Sequence, residues 1–243
     1  MAERRGSDCL ITSGPFYTLL AAADGWKLQP GQLYYAHAVY PTAYPKILRI
    51  DNLDPRDDPR KASFTLKDFS DPDASHYPSK ELGLEHDELY YAYVGKRRLV
   101  VVLGECTQTW YPTEREQRII LCAPVFSFKE RHPQEVVIRT QAFDIPQWFY
   151  LPPDHDGCPD ESAVRFEYIQ PVMGSCLIPF QCALSPRLPA ALGEEARVLL
   201  LVHLAQFLGV PVQRLPAAEG TAPTDAVAKL VDDIATYRQL LLK

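Results

Sequence analysis

Short blocks of apolar and aromatic residues, separated by polar breaks, recur between residues 32 and 170. Blocks of this length are typical of strands. Four of them follow one another: Asp87–Val94, Leu99–Leu103, Arg118–Pro124 and Glu135–Arg139. The polar stretch Gly95–Arg98 predicts a tight hairpin turn between the first two blocks. We expect these four strands to form the core sheet, with any chemistry at their ends, where connecting loops carry functional side chains.

Further strands are predicted before and after this sheet. Gln32–Val39 and Lys46–Asp51 predict a strand pair joined by a turn, and Ser162–Tyr168 alternates as a half-buried strand does. The aromatic and proline-rich stretch Gln147–Pro153 is expected to pack on the sheet. Phe16–Ala23 has no decisive period and can also form two helical turns.

Two helices are predicted near the end of the sequence. Leu192–Leu208 carries two acids in its first turn and is followed by Gly209, a common helix stop. Its centre is apolar nearly all round, so we expect it to be covered on more than one side. Thr224 is a good N-cap residue for a second helix that ends near Leu242.

The charge distribution separates an acidic segment from a basic one. Between residues 51 and 88 there are eleven acids and five bases, whereas residues 96 to 139 hold eight bases and five acids. The net charge of -6 argues against non-specific coating of nucleic acid. The acidic, proline-rich segment Asn52–His86 is expected to be a long excursion, either solvated or lying over the basic face.

The composition is that of an ordinary globular protein with no membrane span. The longest apolar run, near Val198 to Ala205, is far too short to cross a bilayer. Ser13, Gly14 and Pro15 interrupt the N-terminal segment before a signal-peptide core can form. The six cysteines include no CxxC pair, which favours reduced thiols. We therefore expect the cytoplasm as the compartment.

Four features in order resemble the MazF/PemK family of toxin endoribonucleases. They are a glycine, arginine and Val/Leu strand at Gly95–Leu103, an apolar strand ending in Ala-Pro at Leu121–Pro124, a Glu-Val-Val strand at Glu135–Ile138, and a Ser-x-Val strand at Ser162–Ile169. The resemblance extends over about residues 87–208. It implies a mainly β, α+β fold: an SH3-like, PemK-type β-barrel with an N-terminal strand extension and two C-terminal helices.

The resemblance also implies a division of the chain and a set of partners. Residues 1–86 are expected to form an N-terminal extension with strands at 32–51, residues 87–209 the barrel with its helix, and residues 210–243 a linker and C-terminal helix. The implied function is that of a growth inhibitor that binds RNA, and cleaves it without metal if the site is intact. A homodimer, an antitoxin protein, single-stranded RNA and no cofactor are implied with it.

Metal-free RNA cleavage needs a proton acceptor, a proton donor and a cation that stabilises the developing phosphorane charge. Arg97 is the candidate cation because a guanidinium binds phosphate oxygens through two N–H groups. Phe126 stands where the family has its catalytic threonine, so Ser127 is the nearest hydroxyl, and His132 is the candidate general acid or base. Alternatively, Arg97 belongs to a solvated turn and the other two are plain surface residues.

Basic residues beside these candidates are predicted to contact the nucleic-acid backbone: Lys96, Arg98, Lys129 and Arg131. Tyr93, Trp110 and Tyr111 can stack on bases or simply pack between strands.

A metal site is not predicted. The polar segment Asp154–Glu161 is shorter than an EF-hand loop and has no second histidine at zinc spacing, so a polar turn is favoured. The sequence also contains no P-loop, Rossmann glycine pattern or GxSxG motif. The alternative to an RNA-directed function is a non-catalytic SH3-like scaffold that acts in protein–protein interaction.

Overall fold

The structure, a computed structural model, describes these residues: 12, 14–21, 28–39, 44–52, 63–68, 91–107, 118–129, 132–155, 157–180 and 190–210. Within them the chain forms twelve strands and two α-helices. The strands are β1 (Tyr17–Leu19), β2 (Leu33–Val39), β3 (Lys46–Asn52), β4 (Ser63–Asp68), β5 (Tyr91–Ala92), β6 (Gly95–Thr107), β7 (Arg118–Ser127), β8 (Trp148–Leu151), β9 (Ser162–Arg165), β10 (Gln170–Met173), β11 (Ile178–Pro179) and β12 (Ala190–Leu192). The helices are α1 (Gln134–Gln141) and α2 (Glu194–Phe207). The predicted mainly β, α+β class is confirmed.

The chain divides into two compact units. One comprises Met1–His37 and Arg97–Lys243, and the other comprises Ala38–Lys96. The second unit contains a three-stranded sheet in the order β4-β3-β5, in which Ile47 pairs with both Lys67 and Tyr91.

The main sheet has the order β11-β2-β6-β7-β9-β8, and β10 also pairs with β7. Antiparallel β6 and β7 lie at its centre, with Val100 opposite Pro124 and Val102 opposite Cys122. The backbone N–H of Val102 donates to the carbonyl oxygen of Gln32 at 2.9 Å, which joins β6 to the start of β2.

Strand β7 changes its second partner halfway along its length. Cys122 is opposite Gln170 of β10, whereas Val125 is opposite Val164 of β9. Pro124 lies at the point where the ladder changes from one partner to the other. Proline has no N–H, so within a central strand it leaves a hydrogen bond of the ladder unmade. This loss is smallest at a position where the ladder is already interrupted.

Alternation along β6 and β7 gives the main sheet two faces. On the first, which we call the helix face, Val101, Ala123 and Val125 form one core with Leu199 and Leu200 of α2. On the second, the outer face, Val100, Val102 and Cys122 form another core with Tyr34 and Leu177. Burying each of these valine and leucine side chains contributes about 1.5–3 kcal/mol.

A close backbone contact ties the N-terminal strand to α2. Gly193 precedes the helix, and a Cβ there would lie 2.1 Å from the carbonyl oxygen of Pro15. The N–H of Gly193 donates to the carbonyl oxygen of Phe16 at 2.8 Å. Only glycine allows this approach.

The predicted hairpin at residues 87–103 is wrong. Strand β6 runs without a break through Gly95–Arg98, and β5 pairs with β3 instead. Each of the two arginines lies over an aromatic ring of a neighbouring strand: Arg97 over Tyr35 of β2 and Arg98 over Phe126 of β7. Residues 87–90 lie outside the described ranges.

The predicted strand Glu135–Arg139 is also wrong, because these residues form α1. Pro133 is the N-cap residue, and Glu135 is an acid in the first turn, where a negative charge is favourable. Thr140 faces the protein interior, and its hydroxyl donates to the carbonyl oxygen of Val136 at 2.7 Å. Packing of one helical face therefore overrides the strand preference of the β-branched residues.

Several smaller expectations change as well. The strands predicted at Gln32–Val39 and Lys46–Asp51 exist, but they belong to different sheets and do not pair. The strand predicted for Ser162–Tyr168 ends at Arg165 and gives way to a 3₁₀ turn, Phe166–Tyr168. The excursion Asn52–His86 contains β4.

Other expectations are confirmed, are changed, or concern residues outside the described ranges. Helix α2 lies within the predicted span, and β7 contains the predicted strand Arg118–Pro124. The segment Phe16–Ala23, for which the sequence also allows two helical turns, instead contains the short strand β1. The predicted helix from Thr224 to Leu242 lies outside the described residues.

Candidate functional site

Arginines and aromatic residues from four strands and a turn meet on the outer face, at the end of the sheet away from β11. Phe126 of β7 is opposite Ala163 of β9, and Arg165 of β9 is opposite Trp148 of β8. The cluster, which we call the arginine–aromatic surface, consists of Arg98, Phe126, Trp148, Arg165 and Tyr168. All five side chains are half-buried, so each keeps some contact with solvent.

Arg165 lies at the centre of this surface. Its guanidinium carbon is 4.2 Å from the ring centroid of Trp148, 5.2 Å from that of Tyr168 and 5.3 Å from that of Phe126. The guanidinium carbon of Arg98 is 4.1 Å from the Phe126 centroid. Cation–π contacts of this kind contribute about 0.5–2 kcal/mol each, depending on desolvation. The result is a row in which charged planes and aromatic rings alternate.

A local insertion places Tyr168 and Glu167. Strands β9 and β10 pair with the same strand, β7, but the chain between them is longer than the matching part of β7 and forms the 3₁₀ turn. Insertions of this type re-aim side chains in a sheet. Here the Tyr168 ring comes to 5.5 Å from the Phe126 ring, centroid to centroid.

The Glu167 carboxylate binds two members of the surface. Its Oε1 accepts hydrogen bonds from Arg165 Nε at 2.5 Å and from Trp148 Nε1 at 3.0 Å, and it also contacts Arg165 Nη2. The carboxylate therefore fixes the guanidinium edge and the indole together.

The row of aromatic rings continues beyond Trp148. The His132 ring meets the Trp148 ring edge-on with centroids 5.5 Å apart, and Phe128 is 5.7 Å from His132. Phe128 stacks on Tyr150, whose hydroxyl donates to Glu161 Oε1 at 2.6 Å.

The structure divides the three predicted catalytic residues between the two faces. Arg97 is on the helix face, with its guanidinium carbon 4.9 Å from the Tyr35 centroid. Ser127 alternates with Phe126, so it lies on that same side, opposite Ser162 in the register. His132 lies against Trp148 on the outer face. These three residues therefore do not form one constellation.

The predicted backbone-binding residues are also dispersed. Arg98 belongs to the arginine–aromatic surface. Lys129 has a left-handed φ of 41° and pairs with Asp160 at 3.2 Å. Lys96 belongs to the second unit, and Arg131 lies outside the described residues. The aromatic candidate Tyr93 is in the second unit, while Trp110 and Tyr111 are not described.

The sequence analysis missed Trp148, Arg165 and Tyr168 as candidate binding residues. The available signal was the alternation of Arg165 and Glu167 with Val164, Phe166 and Tyr168 in a segment predicted to be a strand. That signal is weak without the cross-strand register, because Trp148 and Arg165 are far apart in the sequence. Their pairing across β8 and β9 makes the cluster visible.

Two buried thiols are unsuited to nucleophilic chemistry. Burial raises the pKa of Cys158 to about 12 and the pKa of Cys122 to about 12. Thiols are nucleophilic as thiolates, so both side chains are inert near neutral pH. Among the described residues, no cluster of three or more His, Cys, Asp or Glu side chains is arranged to hold a metal ion.

No protein-family model, curated protein or solved structure matches this chain. In the part of the chain that the structure describes, neither helix has the length and apolarity needed to cross a membrane.

Proposed function

We propose that this protein binds single-stranded RNA through the arginine–aromatic surface. The observation that carries the proposal is the position of Arg165 among three aromatic rings, with Arg98 on the Phe126 ring beside it. Aromatic rings on a sheet surface can stack on unpaired bases, and guanidinium groups can bind phosphate oxygens. Both kinds of group occur here on one face.

The half-buried state of the five side chains supports the same function. Rings that are partly fixed by neighbouring groups lose little conformational entropy when a base stacks on them. Stacking on every base is similar, so we expect modest sequence preference. Recognition of a duplex is not expected, because paired bases have no free faces to stack.

The relation to MazF/PemK toxins is part of the proposal. It is supported by three of the resembling motifs, which lie wholly or partly on the strands β6, β7 and β9, and by α2, which follows them. The third motif lies in α1, where the family has a strand. An SH3-like arrangement, a cytoplasmic growth-inhibitor role, an antitoxin partner and a homodimer belong to this proposal, which needs no cofactor.

We propose binding without cleavage. Cleavage by the three candidates requires Arg97, Ser127 and His132 to reach one phosphate. Arg97 and Ser127 lie on the helix face and His132 on the outer face, which favours a binding protein over a nuclease of that mechanism.

A protein partner is the second candidate for the same surface. Tryptophan, tyrosine and arginine are the residues most enriched at the energetic centres of protein interfaces. The contact of Glu167 with Arg165 favours this alternative, because it neutralises one cation of the surface.

Fluorescence anisotropy with a short labelled single-stranded RNA, in the presence of EDTA, tests the proposal. We expect binding that weakens steeply between about 50 mM and 200 mM salt, because phosphate contacts release counterions. Phe126→Ala and Tyr168→Ala should each weaken binding by about tenfold through lost stacking. Tyr91→Ala is the matched control, since Tyr91 is an exposed aromatic residue of the second unit.

Two results would contradict the proposal. One is the absence of RNA binding by the folded wild-type protein at low salt. The other is an equal loss of affinity in the Tyr91 control and the two surface variants. Cleavage of the RNA in EDTA by the wild type but not by Arg97→Ala would instead restore the nuclease interpretation.

A further inference from the structure

The carboxylate of Glu167 occupies the hydrogen-bonding edge of Arg165. One oxygen, Oε1, accepts from Arg165 Nε at 2.5 Å, contacts Arg165 Nη2, and accepts from Trp148 Nε1 at 3.0 Å. The pair is partly shielded from water: the side chain of Arg165 is 18% exposed and that of Glu167 is 28% exposed. It is therefore less screened than an ion pair in open solvent.

The position of this oxygen matches that of a bound oxyanion. Carboxylates and phosphates engage the guanidinium group through the same N–H donors and with similar geometry. A phosphate oxygen that binds Arg165 through Nε and Nη2 would occupy the place of Glu167 Oε1. The two anions cannot bind there at once.

We infer that Glu167 is an internal competitor for phosphate at Arg165, an inference that rests on the proposed RNA binding. When RNA binds, its phosphate displaces the Glu167 carboxylate from the arginine edge. Glu167 is only two positions after Arg165 in the sequence, so the competing carboxylate is present at high effective concentration. Glu167 thereby weakens phosphate binding and selects ligands that also stack on the aromatic rings.

The short 3₁₀ turn makes this competition specific to Glu167. The turn carries Glu167 and Tyr168 on adjacent positions, and Tyr168 reaches the Phe126 ring. Among the described residues, Glu161 is another acid near the row, and it accepts from Tyr150 and from Gln141 at 3.0 Å. Glu161 therefore has no part in the competition.

The Glu167→Gln variant tests this inference, because glutamine keeps an acceptor for Trp148 Nε1 while removing the charge. We expect Glu167→Gln to raise RNA affinity by about tenfold, as a charge-assisted contact to phosphate replaces the internal one. We also expect the slope of log affinity against log salt to stay near the wild-type value, because the same phosphate contact to Arg165 forms in both complexes.

Asp144→Asn is the matched control. The Asp144 carboxylate binds Arg139 Nε at 2.8 Å, so this variant makes the same charge change and releases an arginine elsewhere. It should leave both affinity and slope near the wild-type values. If Glu167→Gln and Asp144→Asn behave alike, or if folded Glu167→Gln binds RNA more weakly, the inference is overturned and Glu167 only positions Arg165.

The indole N–H resonance of Trp148 gives a second readout in the wild-type protein, which does not depend on how the variant folds. It is assigned with Trp148→Phe. Titration with a dinucleotide should shift this resonance as the carboxylate leaves Nε1, whereas an unshifted resonance at saturation would overturn the inference. If wild-type protein binds RNA and both tests fail, only the inference is wrong; if no RNA binds, the proposed function fails with it.

Discussion

The imidazole Nε2 of His203 lies 3.1 Å from the carbonyl oxygen of Trp148. The same nitrogen is 3.1 Å from the carbonyl oxygen of Ile145. A carbonyl can only accept, so Nε2 carries the proton. Helix α2 thus holds the start of β8, the strand that carries Trp148 to the arginine–aromatic surface.

We predict that His203→Ala destabilises the protein by about 2–4 kcal/mol, because it leaves two carbonyl groups without this donor and opens a cavity. The imidazole also packs among buried rings, with Phe143 5.4 Å away and Phe166 5.9 Å away, centroid to centroid. Urea unfolding measures the change. Gln206→Ala, at an exposed position of the same helix, should change stability by a few tenths of a kcal/mol. Equal losses in both variants would contradict this role.

Any side chain at position 157 is predicted to destabilise the folded protein. A Cβ at this position would lie 2.3 Å from ring carbons of Tyr17, whose hydroxyl donates to the carbonyl oxygen of Pro152 at 2.8 Å. Because the ring is buried and held at both ends, Gly157→Ala should cost about 1–3 kcal/mol. The control is Gly104→Ala, where no atom of the described residues lies within 4 Å of the added Cβ. A neutral Gly157→Ala in thermal unfolding would show that Tyr17 can move aside.

Stability is predicted to fall above pH 9 because of the buried thiols. Burial raises the pKa of Cys158 from 9.0 to about 12, and it does the same for Cys122. The unfolded thiols lose protons near pH 9 while the folded ones keep them, so the stability present below pH 9 is lost as pH rises towards 12. Each thiol lowers the free energy of unfolding by up to about 1.4 kcal/mol per pH unit in this window.

Urea unfolding in reductant at about pH 8 and pH 10 checks this slope. Cys158→Ala should remove the part of this pH-dependent loss of stability that comes from the Cys158 thiol. Burial also raises the pKa of Tyr17, which adds a loss of the same sign above pH 10. Thiol labelling followed by peptide mapping should modify the exposed Cys176 in the folded protein and spare the two buried thiols. A flat stability profile with unchanged folding would contradict the account.

The sequence predicts those elements whose local pattern and tertiary context agree. Helix α2 combines first-turn acids, an apolar centre and Gly209, which has the left-handed φ of 69° that favours glycine. Strand β7 is apolar and short, and its burial on both sides matches that pattern. In both cases no distant residue is needed to decide the local structure.

The elements that the sequence does not predict depend on contacts between distant residues. Arg97 and Arg98 resemble a polar turn in the sequence, whereas in the structure they belong to a strand and lie over Tyr35 and Phe126. Valines in α1 favour a strand until one helical face packs on β8. Arg165 and Trp148 become neighbours only through the register of two strands. Short-range patterns do not contain this information.

Photo-crosslinking is the most direct test of RNA binding by the arginine–aromatic surface. A single-stranded RNA that carries 4-thiouridine is irradiated with wild-type protein at low salt, and crosslinked peptides are mapped by mass spectrometry. We predict crosslinks in the peptides that contain Phe126, Trp148 or Tyr168, and their loss when unlabelled single-stranded RNA competes but not when duplex RNA does. Crosslinks confined to other segments, or none from a folded protein, would contradict the proposal.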